Sequence, residues 1–219
     1  HSLINITGLA IGLTAVLIIS LWVVNEFKFD NFYSNKETLY KLFNKYDREG
    51  DIQMSDVTAG PAAETLKAEY PEVLHTARLY WPTDRLFSYG EVKMKSKGNE
   101  VDPDFIQIFD FHMIQGNKLS ALTNPNSIVL TQSLAKNIFG ESDPMYKTVQ
   151  VDNNDTYIVT GVIADVPSNS DFNFTYLISL FKADEYSSNW NTNTFHTYVQ
   201  LKEGSDVAAF NKKLINKIT

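Results

Sequence analysis

An α+β architecture is what this sequence predicts: one membrane-crossing helix, then a mixed strand–helix domain with a strand-rich middle. Three observations predict it. Ser2 to Asn25 carries no charged residue. Strand–helix alternation opens the rest of the chain and returns at its end. Between the two, short alternating apolar runs are separated by turn residues, the texture of hairpins.

The N-terminal segment comes first. Leu3 to Val24 is almost wholly apolar, and its 22 residues as a helix would span about 33 Å, slightly more than a bilayer's hydrocarbon core. A signal peptide fits less well. It needs a basic start, a shorter apolar stretch and a small-residue cleavage site, whereas Asn25-Glu26-Phe27-Lys28 follows here. A buried core helix would rarely run this long without one charge. Residues 1–27 are therefore read as a transmembrane helix. Trp22, Phe27, Phe29, Phe32 and Tyr33 fall where an interfacial aromatic belt belongs. Gly8 and Gly12 share one helical face, a spacing that lets the backbone of another helix approach. No Lys or Arg precedes the span, so basic flanks cannot set its orientation, and the chain reads as cut from a longer one.

From Glu26 onward the composition is that of a soluble protein, an asymmetry that the whole-chain hydrophobic share of 43% conceals. Residues 37–46 alternate as a strand, with Tyr40, Leu42 and Tyr46 on one face and Lys41 and Lys45 on the other. A polar turn, Asp47 to Asp51, follows. Gly60 to Tyr70 reads as a helix: Pro61 suits a first helical position, Ala62, Leu66 and Tyr70 line one face, and Pro71 helps end it. Thr76 to Trp81 is a second strand. Phe87 to Lys97 resembles a hairpin, with Tyr89-Gly90 as its bend. Asp102-Pro103 should start a helix through Phe105, Ile106 and Phe109, with Gly116 closing the element. Ser127 to Leu130 is a short strand, and Thr131 caps a helix through Leu134, Ala135, Ile138 and Phe139 that Gly140 stops. Val149 to Val151 and Tyr157 to Ile163 flank the turn Asp152-Asn153-Asn154-Asp155. Thr194 to Leu201 is a strand, Gly204-Ser205 a break and cap, and Val207, Phe210, Leu214 and Ile218 recur at helical spacing.

Chemistry is sparse. No phosphate loop, dinucleotide fingerprint or Gly-x-Ser-x-Gly elbow occurs. His1, His75, His112 and His196 lack a histidine partner at helical spacing, so no zinc face is expected. Asp152 to Asp155 lacks the glycine and distal glutamate of a calcium loop and reads as a turn. Asp102 and Asp104 read as helix-capping residues. Asp165 and Asp171 bracket a polar loop that turns the chain. There is no cysteine, hence no disulfide framework. Net charge is −7, which offers no footprint for nucleic acid. No catalytic residue, cofactor or metal ligand is assigned.

Asn5 to Leu13 (NITGLAIGL) resembles the opening of the first membrane helix in FtsX-like permeases of ABC transporters. Asn25 to Phe32 (NEFKFDNF) resembles their link into the extracytoplasmic domain. Val101 to Phe111 with Gly116 is similar to the MacB-type periplasmic core. So are Ser127 to Thr131 with Ala135 and Phe139-Gly140, and Tyr157 to Ile163 through Val166-Pro167. The resemblance implies a split porter-like α/β subdomain, residues 28–84 and 186–219, with an inserted strand-rich sabre-like subdomain at 85–185. It also implies a bacterial inner-membrane protein with its main domain in the periplasm. A cytoplasmic ABC ATPase, a second permease copy in a dimer, membrane lipid and a periplasmic adaptor protein are its implied partners. The domain would relay ATP-driven motion to a partner or cargo in efflux or envelope maintenance. Ser34 and Ile218 should then lie at one membrane-facing end. The rival reading is the extracytoplasmic sensor of a signalling receptor, and a weaker third is a membrane-tethered enzyme.

Overall fold

The computed structural model describes residues 2–27, 35–180 and 188–215. Helix α1 (Ser2–Phe27) is unbroken, and none of its Ile4–Val24 stretch is buried by the rest of the described chain. Strand β1 (Leu39–Lys41) and strand β2 (Asn44–Arg48) divide at Leu42-Phe43, so the single strand expected over 37–46 is two. The reason is pairing. β1 bonds to the last strand of the chain, whereas β2 folds back on β3 (Asp51–Ser55) as a separate two-stranded sheet. Glu49 and Gly50 join them with φ of 58° and 92°, the left-handed pair that a two-residue hairpin turn requires.

Helix α2 (Ala62–Glu69) has Pro61 as its N-cap, one residue before the expected position. Strand β4 (Val73–Leu79) starts earlier than expected, and β5 (Thr83–Tyr89) with β6 (Val92–Val101) makes a longer hairpin turning at Gly90-Glu91. Helix α3 (Phe105–Ile108) is a single turn capped at Asp104 without a side-chain bond, so Asp102 does not cap it. Gly116 ends a strand, β7 (Met113–Gly116), rather than a helix. Strand β8 (Ser127–Thr131) leads into α4 (Gln132–Phe139), where Thr131 accepts from Leu134 and Gly140 stops the helix as expected. β9 (Thr148–Val151), β10 (Asp155–Ile163), β11 (Tyr176–Ser179) and β12 (His196–Leu201) complete the strands, and α5 (Val207–Ile215) follows. Its cap is Asp206, whose carboxylate accepts from Ala209 N at 2.9 Å, and not Ser205. Ser34 and Ile218 lie outside the described residues.

One ten-stranded sheet runs through the domain. β1, β12 and β4 form an antiparallel wing, and β4 meets β6 where Leu79 pairs with Val101. From β6 the order continues through β11, β8, β10 and β9 to β5, and β5 pairs with β6 again. These six strands therefore close into a ring, which removes the open edges that would invite foreign strands. Gly98 sits at the closure. A Cβ there would stand 2.3 Å from the carbonyl oxygen of Tyr176, so β6 and β11 could not approach with any larger residue.

Three apolar cores follow. One lies between the wing and α5: Leu66, Tyr70, Val73, Val199, Leu201, Phe210 and Leu214. A second fills the ring, with Phe87, Ile128, Leu130, Val159 and Tyr176 meeting Leu134, Ile138 and Phe139 of α4. The third spans both parts, joining Ala77 and Leu79 of the wing to Val101, Phe105, Val129 and Leu177. Hydrogen bonds gather both ends of the domain chain at one end of the wing. Leu201 N donates to Thr38 O at 2.9 Å, Lys202 N donates to Glu72 O at 2.9 Å, and Lys213 of α5 pairs with the Glu72 carboxylate. The β2–β3 hairpin leaves from the opposite end of β12, where Leu42 N donates to Thr197 O at 2.8 Å and Thr58 bridges Phe195.

Candidate functional site

Where the wing meets the ring, an arginine stands between the buried Ala77 and Leu79 of β4. Arg78 of β4 has a side chain only 7% exposed, so its charge must find a partner. Its Nε and Nη2 donate to the two carboxylate oxygens of Asp102, each at 2.9 Å, a bidentate fork. The Arg78 backbone N donates to the same carboxylate at 2.8 Å, and Nη1 donates to Gly60 O at 2.9 Å. The guanidinium also lies 5.4 Å from the ring centre of Phe195. One side chain thus touches the stretch before the ring, the segment leaving β6, and the stretch after the ring.

A second polar link runs beside it. Asp104 accepts from Lys67 of α2 at 2.8 Å and pairs with His75 Nδ1 of β4 at 3.0 Å. The other ring nitrogen of His75 is 2.9 Å from the Gln107 amide nitrogen. Burial favours the neutral acid at Asp104, but the bonds from Lys67 and His75 outweigh it and hold the carboxyl below the usual range. Asn35 then donates to Ile108 O at 3.0 Å, tying α3 to the start of the domain.

Beneath the ion pairs lies an aromatic plug. Phe105 of α3 and Phe109, its C-cap, pack on Phe172 with ring centres 5.3 and 4.7 Å away, and Phe109 reaches Tyr198 of β12 at 4.9 Å. Phe111 and Phe174 complete it, 5.4 Å apart. Edge-to-face rings of this kind resist sliding because each fills a socket in its neighbours. The arrangement offers no nucleophile–base pair; what it does is hold the wing and the ring together as one body.

Residues 152–154 form the expected turn between β9 and β10, and the acidic spots also serve as ties. Asp102 and Asp104 build the joint. Asp152 accepts from Leu86 N at 2.8 Å and from Arg85 at 3.1 Å. Asp165 accepts from Ser133 N at 3.0 Å and from its hydroxyl at 2.6 Å, bracing the start of α4. Among the described residues no group of three or more metal-ligating side chains gathers. Gly8 and Gly12 have nothing within 4 Å of where a Cβ would stand, and Trp22 is exposed. The side chain of Phe27, and Phe29, Phe32 and Tyr33, lie outside what is described. Arg78 was missed in the sequence, although a lone arginine between Ala77 and Leu79 is the signal of a buried charge awaiting a carboxylate.

The MacB-like periplasmic core domain family matches residues 2–217. The chain belongs to this family. No curated protein matches the chain. Among solved structures, it is similar to a domain described as that of a permease from Porphyromonas gingivalis, at 19% identity and a TM-score of 0.71, covering 84% of this chain and 81% of that one. The periplasmic region of MacB from Actinobacillus actinomycetemcomitans matches at 16% identity and a TM-score of 0.59, with 85% of each chain covered. The extracellular domain of YknZ, a noncanonic ABC-type transporter from Gram-positive bacteria, matches at 13% identity and a TM-score of 0.55, over 78% of this chain and 87% of that one. At these identities the likeness is one of fold.

Proposed function

We propose that this MacB-like chain is the first membrane helix and extracytoplasmic domain of an ABC-type permease, and that it relays motion without catalysing a reaction. Helix α1 crosses the inner membrane, with Gly8 and Gly12 against another helix and Trp22, Phe27, Phe29, Phe32 and Tyr33 at the interface. Residues 28–84 and 186–219 form the porter-like part, and residues 85–185 the sabre-like insertion. A cytoplasmic ATPase drives a dimer of permease copies, and the insertion passes the movement to a periplasmic adaptor or cargo. The observation that carries the reading is the Arg78 joint. A relay must transmit displacement between two parts without loss, and one buried fork pins both. The gathering of Thr38 and Lys213 at one end supports it, since motion would come in through neighbouring attachment points.

The test uses the whole permease with its ATPase in lipid nanodiscs. A spin label at Glu91→Cys, on the exposed turn of β5–β6, reports the distance between the insertions of two copies. Adding ATP should shift that distance. An unchanged distance while ATP is being hydrolysed would overturn the relay.

A further inference from the structure

At the end of the domain where its chain begins, a crevice of about 310 Å³ opens beside Asn35, between Gln107 and Lys118. Two leucines form its rim and face solvent: Leu74 is 43% and Leu119 62% exposed. Exposed leucines are ordinary when scattered, but these two flank the place from which the chain leads back to α1. Chain length limits how far away the membrane can be. Eight peptide links separate Phe27 from Asn35, and they reach at most about 28 Å. Helix α1, with its 26 residues, is about 39 Å long, so it outruns a hydrocarbon core of about 30 Å and ends among the headgroups.

We propose that the Leu74–Leu119 rim is a lipid-contact surface, by which the domain rests on the membrane that α1 crosses. The proposal rests on reading α1 as a membrane span. Charge at this end selects the kind of contact. Lys118 is paired with Asp110, Lys213 with Glu72 and Lys67 with Asp104, so each of these lysines is balanced by an acid. Lys202 bonds the Pro71 carbonyl, and the contact proposed here is the apolar one of the two leucines, for which zwitterionic lipid suffices. Two leucines alone would bind a membrane weakly. Tethering through α1 supplies the effective concentration that makes such a contact persist. Its consequence for the relay is a fulcrum: Leu74 of the wing and Leu119 of the insertion rest on lipid together, and the domain pivots about them as one body.

The chain has no cysteine, so single labels are clean. In nanodiscs of zwitterionic lipid, an environment-sensitive fluorophore is placed in turn at Leu119→Cys, Leu74→Cys, Ile52→Cys and Leu17→Cys. Quenchers are carried either on lipid headgroups or deep in the acyl chains. The expected result is loss of fluorescence at Leu119→Cys and Leu74→Cys with the headgroup quencher, with Ile52→Cys on the β2–β3 hairpin unaffected. Adding anionic lipid should change nothing. Quenching at Leu119→Cys no greater than at Ile52→Cys, with Leu17→Cys still quenched by the deep probe, would overturn the contact while sparing the membrane helix. Quenching that appears only with anionic lipid would overturn the apolar contact. Loss of the Leu17→Cys signal change would overturn both the span and the proposal.

Discussion

At the scale of single residues, Arg78 decides more than any other side chain. Replacing Arg78 by Met leaves Asp102, whose side chain is 14% exposed, as a nearly buried charge without its partner, a situation that costs about 3–5 kcal/mol. Urea denaturation should show that loss. Adding Asp102→Leu to Arg78→Met should recover part of it, because no bare carboxylate then remains. If the double variant is less stable than Arg78→Met alone, the fork is not the main term. Asp104 gives the joint a pH dependence whose sign is fixed. Its folded pKa lies below its unfolded one, so its contribution is present at neutral pH and is lost as pH falls below about 4. The stability gap between the natural chain and Asp104→Asn should accordingly shrink between pH 7 and pH 3. A gap that widens on acidification would contradict the assignment.

At the scale of elements, much of the fold was legible and the misses have physical causes. Thr131 and Gly140 bracket α4 because a cap and a left-handed stop are local chemistry. The interruption of the strand over 37–46 had only a faint signal, Asn44 on the face of Tyr40, Leu42 and Tyr46. Only the availability of partners, β12 for one half and β3 for the other, divides it. β7 and β11 were missed for the same reason: tertiary pairing fixes them, β7 on β10 and β11 between β6 and β8. The joint was half legible. Asp102 and Asp104 stood out, but helix capping explained them until Arg78, Lys67 and His75 were brought beside them. Helix α1 was the clearest element, and its proposed packing face is open to test. In the full permease, cysteines placed beside Gly8 and Gly12 should cross-link to another membrane helix. Gly8→Leu with Gly12→Leu should reduce that cross-linking by closing the groove. Unchanged cross-linking would place the contact on another face.

At the scale of the molecule, a three-stranded wing meets a ring that closes on itself, with an aromatic plug and an ion-pair fork between them. The two ends of the domain chain gather on the wing and the ring lies beyond it, so their rigidity toward one another is what makes a relay of the two. That rigidity is the central claim. Its most direct measurement is the distance between spin labels at Ala68→Cys, exposed on α2, and Glu91→Cys, exposed at the β5–β6 turn, within one labelled copy diluted among unlabelled permease. The account predicts a single narrow distance that ATP does not alter. It further predicts that Arg78→Lys, which keeps the charge but loses the planar fork, broadens it. A natural chain whose distance is broad or moves with ATP, or an Arg78→Lys chain indistinguishable from it, would contradict the claim.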